Sequence, residues 1–280
     1  MKFGRKPRGH DSRIPKFADL VKGRALAPIP FAINYAHGLP NNLGAMLNDQ
    51  LGDCTCAACC HAIQVWSFNA TGGLVSPPDS AALALYELAG GYVPGEPNTD
   101  QGCVEQTVLQ DWMTTGIDSN KLAAYVEVDQ GDLDAIRRTI WECGLAYIGF
   151  NVPQYMPMSA GSIWDVNPTA DNTIIGGHAV ILVGYDVTGL MVVISWGALY
   201  YMTPAFFAQF VDEAYALANA EWITSTGKSS AGLSLADLEA LMAALKWNPP
   251  AYGTHAYRWR RQRHKHLKKK QRAAAVAVAT

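Results

Sequence analysis

Two segments more than a hundred residues apart constrain this chain most. The first is Asn48-Asp49-Gln50-Leu51-Gly52-Asp53-Cys54-Thr55; the second is Gly176-Gly177-His178-Ala179-Val180, running into Val183-Gly184-Tyr185 and then Ser195-Trp196-Gly197. Gly52-Asp53 reads as a turn and an N-cap, and the small, apolar run from Cys54 has helical length, so Cys54 falls in the first turn of a helix. Unpaired backbone N–H groups and the helix dipole there favour a thiolate and predict a lowered thiol pKa. The second segment alternates as a buried strand that starts at His178, with His178, Val180 and Leu182 on one face and a turn at Gly184–Gly189 leading into Leu190–Ile194. A histidine held rigidly against a helix N-terminus is placed to take a thiol proton.

A cysteine opening a long helix, Gly-His-Ala-Val with Val-Gly-Tyr after it, and Ser-Trp-Gly closing the next strand resemble the papain-like cysteine peptidases, in that family's order. Thr99-Asp100-Gln101-Gly102-Cys103 and the helical stretch after it are similar to the family's glycine-rich segment, and the wording around Cys54 looks closest to a divergent branch of bacteria and their phages. The resemblance spans roughly residues 39–211. It implies an α+β, two-lobed fold, helical lobe first and antiparallel β-rich lobe second, with basic extensions at both ends. It also implies a Cys54–His178 pair cleaving a peptide or related amide bond. An amide six residues before the nucleophile would stabilise the oxyanion, and two registers satisfy that spacing: Asn48 with Cys54, and Gln50 with Cys56. The family's histidine-orienting asparagine falls at Ile194, which cannot accept a hydrogen bond. Ser195 brought round by a bulge, another polar group, a dyad, or loss of cleavage are the alternatives. Trp196 is expected to cover the histidine.

Cys56-Ala57-Ala58-Cys59 invites a metal reading, but neither Cys103 nor Cys143 has a close cysteine or histidine partner to complete a zinc site. The expectation is no metal, no cofactor, and buried cysteines filling a helix interface. Four cysteines crowded on one helix are not a disulfide framework.

The formal net charge of −2 conceals strong segregation. Residues 1–24 carry +6, residues 258–272 carry +9, and the stretch between carries −17. Arg258, Arg260, Arg261, Arg263, Lys268, Lys269 and Lys270 are therefore candidates for binding nucleic acid or another anionic partner. The competing reading folds the basic arms onto the protein's own acidic surface or onto a neighbouring copy. A degenerate structural protein, for example a virion component using its arms in assembly, is the alternative to an enzyme. The sequence has no apolar run of membrane-spanning length and no apolar stretch of the signal-peptide type, which suggests a cytoplasmic or virion location. With only about fifty residues before Cys54 in this sequence, no folded prodomain is expected.

Along the chain, residues 1–30 read as a basic extended arm, 31–145 as the helical lobe with Cys54, and 146–222 as the β-rich lobe with His178. Residues 223–250 read as a C-terminal helical segment and 251–280 as a basic tail. Helices are expected at 54–68, 79–88, 104–115, 133–143, 203–220 and 234–245, a first strand at 146–152, and a long loop at 155–173 beside the cleft.

Overall fold

A computed structural model describes residues 1–9, 11–228 and 232–244, excluding the side chains of 239 and 241–244. The C-terminal tail expected to bind anionic partners, with Arg258 to Lys270, lies outside the described residues.

The elements in order are α1 (Phe17–Val21), β1 (Ile33–Asn34), α2 (Cys54–Thr71), α3 (Asp79–Gly90), α4 (Glu105–Thr114), β2 (Ala124–Glu127), α5 (Leu133–Cys143) and β3 (Ala146–Pro153). There follow β4 (Ile163–Trp164), β5 (Ile174–Tyr185), β6 (Met191–Ser195), β7 (Ala198–Met202), α6 (Pro204–Phe210), β8 (Val211–Ala218), α7 (Ala220–Thr226) and α8 (Leu235–Ala244). The strands form one sheet in the order β2-β8-β3-β5-β6-β7-β4, with β1 pairing β5; every pairing is antiparallel except that of β4 with β7.

Helix α2 is buried from Cys54 to Ser67, which its sequence permits because the first turns carry only small side chains. It lies against β5 and α7 and is bolted to the sheet side by polar links. Tyr147 Oη donates to the Thr55 carbonyl at 3.0 Å, and Trp66 Nε1 donates to the Cys143 carbonyl at 2.6 Å. Gly72, left-handed at φ 77°, ends the helix as a C-cap glycine does. Cys56, Cys59 and Cys60 are buried in the interfaces of α2, as free thiols.

The β-rich half packs Phe150, Val180, Leu182, Val193, Tyr200 and Phe206 into one core with α5 and α6 against the sheet. The 155–173 segment contributes β4, whose Trp164 is buried and stacks on Tyr200 at 5.2 Å; this stretch is anchored to the sheet edge rather than free along its length.

Two expectations need correction. The helix expected over 203–220 stops at Phe210, capped at its start by Thr203, and Val211–Ala218 is a strand between β2 and β3. Pairing on both edges and near-complete burial override the helical propensity of its alanines and leucine. The 31–145 stretch also contributes β2 to the sheet, so the first lobe is not purely helical.

Residues 2–6 of the basic arm pack into the body, with Arg5 buried, Phe3, Gly4 and Lys6 part-buried and Lys2 exposed. They thread between the start of α2, the Gly102-Cys103 segment and the start of β5. Lys2 N–H donates to the Asn48 carbonyl at 3.1 Å, Cys103 N–H to the Gly4 carbonyl at 2.8 Å, Arg5 N–H to the Gly177 carbonyl at 3.0 Å, and Lys6 N–H to the Cys103 carbonyl at 2.8 Å. The walls close on the backbone because glycine faces glycine: a Cβ on Gly4 would sit 1.7 Å from the Gly52 carbonyl oxygen, and one on Gly102 1.9 Å from that of Gly4.

Candidate active site

Cys54 is the first residue of α2, behind Asp53 at the N-cap. The turn before it is tightly wound, with Met46 and Leu47 both left-handed, and this brings Asn48 into the interior. Asn48 Nδ2 donates to the Leu51 carbonyl at 3.0 Å and to the carbonyl of Lys2 in the arm at 3.3 Å. Gln50 is exposed, its amide 3.5 Å from the Asp49 carboxylate. Cys56, which would pair with Gln50 in the second register, lies inside the helix, fully buried. The structure therefore separates the two registers: Asn48 is inside with Cys54, and Gln50 is outside.

His178 lies in the middle of β5 rather than at its start, opposite Phe150 of β3. Its Nε2 is 2.7 Å from Ser195 Oγ, whereas its buried Nδ1 has no hydrogen-bond partner among the described residues. Ser195 ends β6, immediately before a tight turn in which Trp196 has φ 49° and Gly197 φ 75°. Ile194, its neighbour, points into the sheet register opposite Ile181 and Leu199 and is buried. A left-handed tryptophan costs on the order of 1–2 kcal/mol. Here it lays the indole flat on the imidazole, centroids 4.4 Å apart and planes 16° from parallel. Phe150 and the arm's Phe3 meet the same ring edge-on at 5.7 and 5.6 Å.

The electrostatics differ from the sequence expectation. Burial pushes the Cys54 thiol up to about 12, while the backbone N–H groups of Ala179 and Gly4 pull the other way. A helix N-terminus offers roughly 0.3–1 kcal/mol to a thiolate, less than one pKa unit, and desolvation of a fully buried group shifts by several. Burial therefore wins while the arm is in place. The same burial, with help from the Arg5 charge, lowers His178 to about 3. The resting pair is a neutral thiol and a neutral imidazole.

Asp53 makes no side-chain cap, and burial raises it to about 8, opposed by the Asn48 amide. The stability that its proton contributes is whole below about pH 4 and is lost as the pH climbs through about 8. Asp53→Asn, neutral at every pH, should therefore lose much less Tm than the parent between pH 5 and pH 8; thermal melts showing the same loss in both would refute the assignment.

The arm is tied down by charge. Lys2 Nζ is 2.8 Å from Asp100, whose other oxygen accepts from Gly52 N–H and Tyr86 Oη. Arg5, with its side chain fully buried, pairs with Asp212, with Glu213 at 3.2 Å and with Glu105 at 4.0 Å. Arg8 pairs with Glu127. Lys2, Arg5 and Arg8 thus pair with acidic groups of the protein's own body, while Arg13 pairs with Asp11 inside the arm. Phe3, Gly4, Arg5, Glu105 and Glu213 were not singled out from sequence; the signal that pointed their way was the opposite charge of arm and body.

Among solved structures, xylellain, a cysteine protease from Xylella fastidiosa, is similar with a TM-score of 0.61 at 16% identity, covering 78% of this chain and 96% of that one. Procathepsin L2 proteinase from the larval midgut of Tenebrio molitor gives 0.55 at 14% identity, covering 77% and 76%. Procathepsin B S9 from Trypanosoma congolense gives 0.53 at 14%, covering 78% and 86%. The chain has the papain-like fold. By sequence it matches no family model and no curated protein. Cys54 belongs to α2 and His178 to β5, two elements that pack against each other, and Ser195 Oγ lies 2.7 Å from the histidine Nε2. Among the described residues no group of histidine, cysteine and acidic side chains is arranged to hold a metal, and no helix is long and apolar enough to cross a membrane.

Proposed function

We propose that the chain is a papain-like thiol hydrolase acting on a peptide or related amide bond, with its cleft held closed by residues 2–6. The observation that carries this reading is the His178–Ser195 contact. Nε2 is occupied by a hydroxyl that fixes the ring, which leaves Nδ1, buried and unpartnered, as the nitrogen available to a thiol. Ser195 thereby takes the orienting part that Ile194 cannot. With the arm displaced, water and substrate enter, the desolvation that keeps Cys54 protonated is relieved, and His178 accepts its proton. The thiolate attacks the acyl carbonyl, the Asn48 amide and the Cys54 N–H stabilise the oxyanion, and His178 returns the proton to the leaving amine. Water then releases the acyl group by the same route. Asn48 already donates to a peptide carbonyl, that of Lys2.

The test is turnover of fluorogenic peptides by the full chain carrying Arg5→Ala, which loosens the arm. Hydrolysis that disappears with Cys54→Ala supports the reading, and hydrolysis unaffected by Cys54→Ala, or none on a broad peptide set, contradicts it. In the same background Ser195→Ala should lower kcat on the order of 100-fold with little change in KM, because the ring loses its fixed orientation but keeps its chemistry. An unchanged kcat would remove Ser195 from the site.

The degenerate structural alternative has less support for the N-terminal arm, since Lys2, Arg5 and Arg8 already have partners within the chain.

A further inference from the structure

We propose that the pocket holding Arg5 is a specificity pocket for an arginine side chain of the substrate, occupied in the resting chain by the arm's own arginine. The proposal rests on the hydrolase reading and names its substrate class: peptides with arginine at the residue that pairs with Cys103.

The acids that meet the Arg5 side chain, and the glycine beneath its stem, belong to the body of the protein. Glu105 comes from the first turn of α4, Gly149 and Asn151 from β3, and Asp212 and Glu213 from β8. The acids are held independently of the arm: Glu213 Oε2 accepts from Tyr215 Oη at 2.9 Å and Asp212 Oδ2 from Asn151 Nδ2 at 3.0 Å. Glu105 is fully buried, and among the described residues neither of its oxygens has a hydrogen-bond partner even with Arg5 in place. Glu105 and Glu213 are fully buried and Asp212 lies at the part-exposed mouth; burial raises the pKa of the two buried acids and the Arg5 charge opposes it, so the cluster favours a cation in its midst. Gly149 leaves room for its stem: a Cβ there would lie 2.2 Å from Glu105 Oε1 and 2.6 Å from Arg5 Cδ.

The geometry selects arginine over lysine. Asp212 meets Nη2, Glu213 meets Nη1 and Glu105 faces Nε, so the carboxylates address three different nitrogens of a planar fork. A single ammonium cannot reach all three. The backbone places a substrate residue for the pocket as well. Gly4 carbonyl and Lys6 N–H use both polar groups of Cys103 in a parallel bridge, and a peptide running the other way can present one residue's N–H and carbonyl to the same two groups.

The experiment is calorimetric binding of three short acetylated peptide amides, identical but for Arg, Lys or Leu at the pocket position, to the full chain carrying Arg5→Ala. The arginine peptide should bind at least about ten-fold tighter than the leucine peptide, with lysine between them, as expected for charge-assisted pairing in a buried site. Adding Glu213→Gln should shrink the arginine preference to within about three-fold. Equal or tighter binding of the leucine peptide, or a preference untouched by Glu213→Gln, overturns the proposal. If Arg5→Ala does not fold, Arg5→Met keeps the stem packing and vacates the charge site, and the same readings apply. Binding is read without turnover, so a chain that binds arginine peptides but cleaves nothing would refute the hydrolase reading and leave the pocket standing.

Discussion

Replacing Arg5 with glutamate should make Cys54 react with iodoacetamide at pH 7 at least about 100-fold faster than in the parent chain. The estimate follows from the buried ion cluster. Removing one partner from a buried pair costs roughly 3–5 kcal/mol, because the remaining charges stay desolvated, and here a fourth carboxylate would be added. The chain can escape that cost without unfolding by releasing residues 2–6, which lets water reach Glu105, Asp212 and Glu213. Release removes Gly4 from Gly52 and Phe3 from His178, and Cys54 leaves the environment that holds its thiol up at about 12. Peptide mapping of the alkylated chain is the check. Labelling of Cys54 as slow as in the parent, in a chain that still melts cooperatively, would mean the arm does not close the site.

The second large effect concerns His178. In the opened chain, His178→Ala should reduce turnover by about four orders of magnitude or more, close to the loss on removing Cys54, since a nucleophile and its base act as one unit. It should also abolish the rapid alkylation at pH 6 that a thiolate–imidazolium pair permits, leaving a rate that rises only as the free thiol ionises. A histidine that is merely packed between Trp196, Phe150 and Phe3 would yield a less stable protein with an unchanged pH profile. Comparing Tm with the alkylation profile separates the two.

How much of this was legible in the sequence depends on the range of the cause. Cys54 at a helix start could be read because Gly52-Asp53 and the small residues after it are local signals, and α5 was legible to its ends because Asp132 caps it and Gly144 stops it. The β5 face of His178, Val180 and Leu182 followed from period-two alternation. By contrast, the β8 strand carries helix-forming residues, and only its pairing with β2 and β3 makes it extended. The ionisation of Cys54 departs from the sequence expectation for a similar reason. The helix terminus is visible in the sequence, but the arm that buries it comes from residues 2–6 and is held by acids up to 208 positions away. Charge segregation announced that a basic arm would seek acids. It did not say that Arg5 would find them beside the cysteine. That Asn48 turns inward and Gln50 outward goes with the left-handed turn at Met46 and Leu47, which neither residue type announces.

Once the arm is displaced, Cys54 should form a covalent acyl intermediate that mass spectrometry detects. The Arg5→Ala chain is mixed with an arginine-containing ester or amide substrate, quenched in acid during turnover, and its intact mass and proteolytic map are recorded. A mass increase equal to the acyl part of the substrate, located on Cys54 and absent in Cys54→Ala, is the expected result. Turnover with no adduct on Cys54, or an adduct confined to another cysteine, would contradict it.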